Sequence, residues 1–229
     1  MVRIGYTAGM IITIDGPAGS GKSTAARGLA RELGIAYLDS GATYRAVALA
    51  AIREGADFRD AGALAAIARR AEVRLVPREA GAQVLLDGRD VTADVRTPEV
   101  SQKASEMARS GEVREVLVEL QRRIGRELGC FVAEGRDQGS VVFPDATVKF
   151  YLVADPNVRA ARRREELIAA GRPAPLEEVL QSVLVRDERD STRAAGPLVK
   201  PDGAVVVDTS GNTIEQTLAV LKAAVEARR

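Results

Sequence analysis

One run of residues constrains this chain more than any other: Met10-Ile11-Ile12-Thr13-Ile14-Asp15, followed at once by Gly16-Pro17-Ala18-Gly19-Ser20-Gly21-Lys22-Ser23-Thr24. The first six residues are apolar and β-branched, which predicts a short buried strand, and Ser23 to Leu33 carries the apolar spacing of a helix. Between them Gly16, Gly21, Lys22 and Ser23 satisfy the pattern G-x-x-x-x-G-K-[ST]. Glycines let the backbone curl until several N–H groups converge on phosphate oxygens, and the helix that opens near Lys22 adds its positive end. On this reading Gly16, Pro17, Ala18, Gly19, Ser20, Gly21, Lys22, Ser23 and Thr24 cradle the phosphates of ATP. Lys22 reaches the β- and γ-phosphates, and Ser23 ligates Mg²⁺. The competing reading, a plain glycine turn beside an exposed lysine, requires neither the strand before it nor the helix after it.

The strand-loop-helix rhythm continues down the chain. Ile35 to Leu38 predicts a second strand, and Ala42 to Arg53 a helix capped by Ser40. Between Val73 and Val95 the pattern changes to short strands at Val73 to Val76, Gln83 to Leu86 and Asp94-Val95, with glycine-bearing turns at Ala80-Gly81 and Asp87-Gly88. That is a small antiparallel insertion, about residues 72–98. Helices are predicted from Pro98 to Met107, Glu112 to Leu128, Asn157 to Ala170, Leu176 to Asp190 and Thr213 to Ala227. Buried strands are predicted at Cys130 to Ala133 and Val148 to Val153, and a further strand at Ala204 to Val207. Alternating β and α units imply an α/β fold, a parallel sheet with helices on both faces, and 229 residues suit one domain over 1–229.

Composition then excludes whole classes. With 33 basic against 32 acidic residues the net charge is +1, so no whole-molecule field draws nucleic acid or an anionic membrane, and any cationic site is local. Histidine is absent, which removes the commonest general base and leaves carboxylates, arginines, lysines or a metal to do the chemistry. The single cysteine, Cys130, forms no internal disulfide, and its setting in Gly129-Cys130-Phe131-Val132 predicts a buried thiol in a reducing, cytoplasmic compartment. Met1 to Met10 has neither the charge pattern nor the apolar length of a signal peptide or membrane span. A cytoplasmic monomer with small-molecule partners is the expectation.

A guanine-reading switch protein needs an Asn/Thr-Lys-x-Asp element, and neither Asn157 nor Asn212 begins one. The chain carries instead Arg45, Arg114, Arg136-Asp137, Arg162-Arg163-Arg164, Arg186, Arg189-Asp190 and Arg193, an arginine density suited to two phosphorylated substrates. Four segments together resemble bacterial cytidylate kinases across nearly the whole chain. They are Ile14-Asp15-Gly16-Pro17; Leu38-Asp39-Ser40-Gly41 with Tyr44-Arg45; Glu134-Gly135-Arg136-Asp137 with Val141-Val142-Phe143-Pro144-Asp145; and Arg186-Asp187-Glu188-Arg189-Asp190.

The resemblance implies a P-loop NTPase-type sheet, an inserted substrate-binding region and an arginine-bearing lid, about residues 158–175. It implies γ-phosphoryl transfer from ATP to CMP or dCMP with Mg²⁺. It sets Ser40 and Arg45 near the acceptor's phosphate and sugar, and Ser105, Arg114 and Asp137 around the cytosine. Arg136, Arg186, Asp190 and Arg193 fall around phosphate and ribose, so that Lys22, Arg136, Arg186 and Arg193 are the expected catalytic cations, and Arg162, Arg163 and Arg164 fall where the lid begins. Cytosine presents an amine donor beside ring N3 and O2 acceptors, which a carboxylate, an arginine and a hydroxyl complement. The plainer account of the three consecutive lid arginines is a solvated helix face, and that of Arg136-Asp137 is a loop-fixing ion pair. Asp15 and Asp39, read as ending adjacent strands, either hold Mg²⁺-bound water or cap a helix or turn. Gln138 and Thr43 depart from the family's residues, methionine and a larger apolar side chain, and both neighbour binding positions. A kinase of the same fold for UMP, AMP, shikimate or gluconate, and a non-catalytic ATP-holding module, are the rival readings.

Overall fold

The computed structural model describes residues 9–78 and 81–228. Five short strands, β1 (Ile11–Asp15), β2 (Ala36–Asp39), β6 (Phe131–Gly135), β7 (Val148–Val153) and β8 (Val205–Asp208), form one sheet. Their order is β2-β6-β1-β7-β8 and every pairing is parallel. β1 and β6 are buried on both faces, as parallel strands between helix layers must be, which is why they read as unbroken apolar runs.

Alternation along the strands divides the core in two. Leu38, Phe131 and Ala133 face α2 (Ser40–Arg53), α3 (Ala61–Arg70), α4 (Pro98–Met107) and α5 (Gly111–Leu128). Ile12, Ile14, Val132, Phe150 and Leu152 face α1 (Lys22–Leu33) and α8 (Ile214–Glu226). Phe131 and Phe150 are fully buried, each contributing about 3 kcal/mol of transfer free energy. A hairpin of α6 (Pro156–Ala169) and α7 (Leu176–Thr192) stands at the carboxyl edge of the sheet. Among the described residues no helix is long and apolar enough to cross a membrane.

The insertion is a three-stranded antiparallel sheet of β3 (Val73–Arg78), β4 (Gly81–Leu86) and β5 (Arg89–Asp90). Its third strand is not Asp94-Val95. Asp90 holds the turn there, accepting from the Thr92 backbone N–H and hydroxyl at 2.9 and 2.6 Å, and Asp94–Arg96 winds into a 3₁₀ turn that buries Val95. Ala80, half of one expected turn, and residues 1–8, on which the leader reading rests, lie outside the described residues.

Three further readings need correction. Helix α3 went unread, although Leu64, Ala65, Ile67 and Ala68 recur at helical spacing on its buried face; Asp60 caps it, accepting from Ala63 N–H at 2.9 Å. Asp39, not Ser40, caps α2, accepting from Ala42 N–H at 2.9 Å, while Ser40 is already helical. Cys130 is only half-buried, since it precedes β6 by one residue at the rim of the core.

Candidate functional site

The loop after β1 takes the shape its glycines permit. Gly19 and Gly21 sit at φ +76° and +80°, and a Cβ on Gly16 would run into the Leu152 carbonyl. Lys22 is 7% exposed and donates to the Pro17 carbonyl at 3.2 Å. Burial, with help from the Arg136 charge and against that of Glu134, pulls its ammonium down to about 7. Arg159, from α6, braces the loop from outside: its guanidinium donates to the carbonyls of Ala18 (3.1 Å) and Ala154 (2.9 Å) and pairs with Asp187 of α7 at 2.6 Å.

Ser23 donates its hydroxyl to Glu134 Oε1 at 2.9 Å, and Tyr37 donates to the same oxygen at 3.2 Å. β6 lies between β1 and β2, with Glu134 registered against Ile14 on one side and Asp39 on the other. Asp15 and Asp39 therefore do not end adjacent strands. Asp15 is fully buried and accepts from the Gln138 and Gly139 backbone N–H groups at 2.8 and 2.7 Å, while Asp39 caps α2 and pairs with Arg45 at 2.9 Å. Glu134 and the Ser23 hydroxyl are oxygen donors at the mouth of the loop, a set that suits a hard cation held chiefly by phosphate oxygens. No cluster of three or more acidic or cysteine side chains that could hold a metal occurs among the described residues.

Beside the loop a cavity of about 420 Å³ opens at the carboxyl edge of the sheet. From the expected cradle it is lined by Ala18, Gly19, Lys22 and Ser23; Gly16, Pro17, Ser20, Gly21 and Thr24 do not line it. All the expected acceptor residues do: Ser40, Arg45, Ser105, Arg114, Arg136, Asp137, Arg186, Asp190 and Arg193. Arg114 and Asp137 form an ion pair at 4% and 6% exposure, with Arg193 Nη2 at 3.8 Å from the same carboxylate. Arg136 donates to Asp190 at 2.7 Å, and Arg186 stands 3.9 Å from it. Burial alone would raise the Asp190 carboxyl, but Arg136 and Arg186 hold it below the usual range. Burial and the neighbouring Arg114 lower Arg193.

Of the three consecutive arginines only Arg163 lines the cavity, paired with Glu166 at 2.7 Å. Arg162 turns to Thr209, donating to its carbonyl at 2.5 Å, and Arg164 is exposed away from the cavity. Consecutive helical residues point about 100° apart, so they diverge. Among the described residues none between 72 and 98 lines the cavity; α4 supplies Ser101, Ala104 and Ser105, and Ala108 follows at its end.

Four participants were missed as such by sequence reasoning. Glu134 carried a signal, a carboxylate ending an apolar strand. Tyr44, whose ring lies 5.8 Å from the Arg114 guanidinium, stood in a quoted segment without a role. Arg159 and Glu166 carried none, since one charge among many on a helix does not reveal its neighbour.

A phosphate loop leaving the central strand of a parallel sheet, facing a cation-lined cavity at the same edge, defines a phosphate-loop kinase, an enzyme that passes a phosphoryl group between two anionic substrates. The sequence profile described as cytidylate kinase matches residues 12–227. A cytidylate kinase of Pelotomaculum thermopropionicum is 48% identical over 219 residues, 95% of this chain and 96% of that protein. Another, from Carboxydothermus hydrogenoformans, is 45% identical over 212 residues, 93% of this chain and 95% of that protein. A solved structure of an uncharacterized protein from Eubacterium ventriosum shares the fold alone, with TM-score 0.52 and 11% identity over 95% of this chain and 99% of that one. The chain belongs to the cytidylate kinase family.

Proposed function

We propose that this chain transfers the γ-phosphoryl group of ATP to CMP or dCMP, giving ADP and CDP or dCDP. One observation carries the assignment beyond family membership. Arg45 Nε, Ser105 Oγ, Arg114 Nη1 and Arg193 Nη2 are buried without a hydrogen-bond partner, and all four belong to residues that line one cavity. Buried polar groups without partners cost about 1–3 kcal/mol each, so a ligand that satisfies them binds there with a strong preference. Asp137, held by Arg114, is the acceptor for an exocyclic amine, which cytosine has and uracil lacks.

The reaction needs positioning and charge neutralisation more than a strong base, because the attacking group is already an anionic phosphate oxygen. Lys22 and the loop amides hold the donor's phosphates, while Arg136, Arg186 and Arg193 hold the acceptor's phosphate in line and spread over the transferring group. Mg²⁺, held by the ATP phosphates with Ser23 and, behind it, Glu134, supplies further charge neutralisation when bound. The hairpin of α6 and α7, with a lid at about residues 158–175, carries Arg163 and Arg186 and excludes water, the competing acceptor. The inserted region, about residues 72–98, carries α4 and its Ser105 to the acceptor. One chain supplies every group the reaction needs, which supports action as a monomer, and we assign it to the cytoplasm, where both nucleotides are available.

A coupled ADP-release assay over CMP, dCMP, UMP, AMP and GMP tests the assignment. CMP or dCMP is expected to exceed the others in kcat/KM by tenfold or more, on the order of one unpaired buried group. A kcat/KM for UMP, AMP or GMP equal to or above that for CMP and dCMP, or turnover with none of the five, would overturn it.

A further inference from the structure

Behind the cavity runs a line of buried polar side chains, none of them an expected substrate contact, that ends on the backbone of Ser40, which is one. Gln138 Nε2 donates to Gln121 Oε1 at 3.1 Å, Gln121 Nε2 donates to Thr43 Oγ1 at 3.0 Å, and Thr43 Oγ1 donates to the Ser40 carbonyl at 2.7 Å. Thr43, Gln121 and Gln138 are at most 1% exposed, and none of them lines the cavity.

The polarity of this line is forced from one end. A carbonyl only accepts, so the single Thr43 hydroxyl proton is committed to Ser40, and Gln121 must offer Thr43 its NH₂. Gln121 then turns its oxygen to Gln138, which must donate in turn. The last acceptor, Gln138 Oε1, is left buried without a partner. Such a one-way chain, away from water, permits one arrangement of its members rather than several.

What it joins gives it a role. Thr43 is on α2, which carries Ser40 and Arg45; Gln121 is on α5, two helical turns from Arg114; Gln138 follows Asp137. Those are the elements that present the acceptor-facing side chains. The packing against β6 leaves no slack either: a Cβ on Gly135 would come within 2.5 Å of Ser40 Oγ and 2.8 Å of Gln138 Cγ. Ser40 in turn donates its hydroxyl to the Glu134 carbonyl at 2.7 Å, closing the line onto the strand between Ser23 and Asp137.

We propose that Thr43, Gln121 and Gln138 are positioning residues that fix α2, α5 and the Asp137 turn in one register, and that this register sets the cavity's affinity and selectivity for its acceptor. The inference rests on the cavity being the acceptor site.

Steady-state kinetics of Thr43→Val and Thr43→Ser test it, with thermal melts alongside. Thr43→Val keeps the shape and removes the hydroxyl, breaking the line at its anchor. KM for CMP is expected to rise about tenfold and the CMP-to-UMP preference to fall several-fold, with KM for ATP within about twofold of the parent. Thr43→Ser restores the hydroxyl and should return both values to within about twofold. A lower melting temperature with KM and selectivity for CMP unchanged would mean a merely structural role and overturn the proposal, as would equal rises in both KM values. Should Thr43→Val fail to fold, the variant T43V/Q121M/Q138M, apolar along the whole line and leaving no group unpaired, carries the same test and the same expected rise. A parent enzyme inactive toward CMP would instead sink the acceptor assignment itself, an outcome these variants do not share.

Discussion

Replacing Arg159 by methionine probes the brace beneath the phosphate loop. The side chain is 4% exposed and its guanidinium serves the Ala18 and Ala154 carbonyls and the Asp187 carboxylate. Methionine keeps much of the aliphatic volume, so the loss is polar. Two hydrogen bonds from a charged donor contribute about 1.5–3 kcal/mol each. Asp187 is 23% exposed and can recover some hydration, so its share falls toward the ~1 kcal/mol of partly solvated pairs. Allowing for the transfer free energy that methionine regains, Arg159→Met should lower stability by about 3–5 kcal/mol, the range seen when one partner of a buried pair is removed. Urea unfolding without nucleotides measures this, with the slope unchanged and the midpoint moved down by about 1 M or more. The double variant R159M/D187N should lose less than the sum of the single losses, because the second change removes a charge already stranded by the first. A loss under 1 kcal/mol, or strict additivity, would refute the claim that this arginine ties the donor loop to α7.

Lys22→Met removes an ammonium that burial and Arg136 already disfavour, so ligand-free stability should hold or rise while kcat falls by on the order of a hundredfold or more; a kcat within tenfold of the parent would remove Lys22 from the chemistry. Burial pushes the Asp15 carboxyl up to about 7 from 3.8, so the native chain keeps a proton that the unfolded chain has lost, and stability declines as pH rises from about 4 to about 7. Asp15→Asn abolishes that titration, and the parent's urea midpoint relative to it should drop between pH 5 and pH 8; parallel profiles would contradict the linkage.

Much of this was written in the order of residues and some of it could not be. The phosphate loop and the parallel strands were legible because their signals are local: a fixed spacing of glycines and lysine, and apolar runs that only a two-sided burial explains. The acceptor side chains came from a resemblance spread over the chain, since nothing in Ser105 or Arg114 alone points to a cavity. The place of β6 between β1 and β2 was not legible, as strand order depends on crossovers that leave no mark in either strand, and with it went the pairing of Glu134 with Ser23. Helix α3 was legible but went unread: Asp60 is a capping residue and Leu64, Ile67 and Ala68 recur at helical spacing on its buried face. The line from Gln138 to Ser40 escaped because Thr43, Gln121 and Gln138 are brought together only by the fold, and hydrogen-bond partners cannot be read from spacing across separate elements.

The sheet order also dictates a sequence of events during synthesis. Among the described residues β1 pairs with β6 and β7 alone and β2 with β6 alone, so β1, the earliest made of these strands, has no described partner until Phe131, about 120 residues later, has been made. Its five residues, Ile11 to Asp15, must wait unmatched while the antiparallel strands β3 to β5, whose pairings are near in sequence, can already assemble. A chain stopped before β6 therefore leaves the strand that carries its phosphate loop with neither of its described neighbours in place.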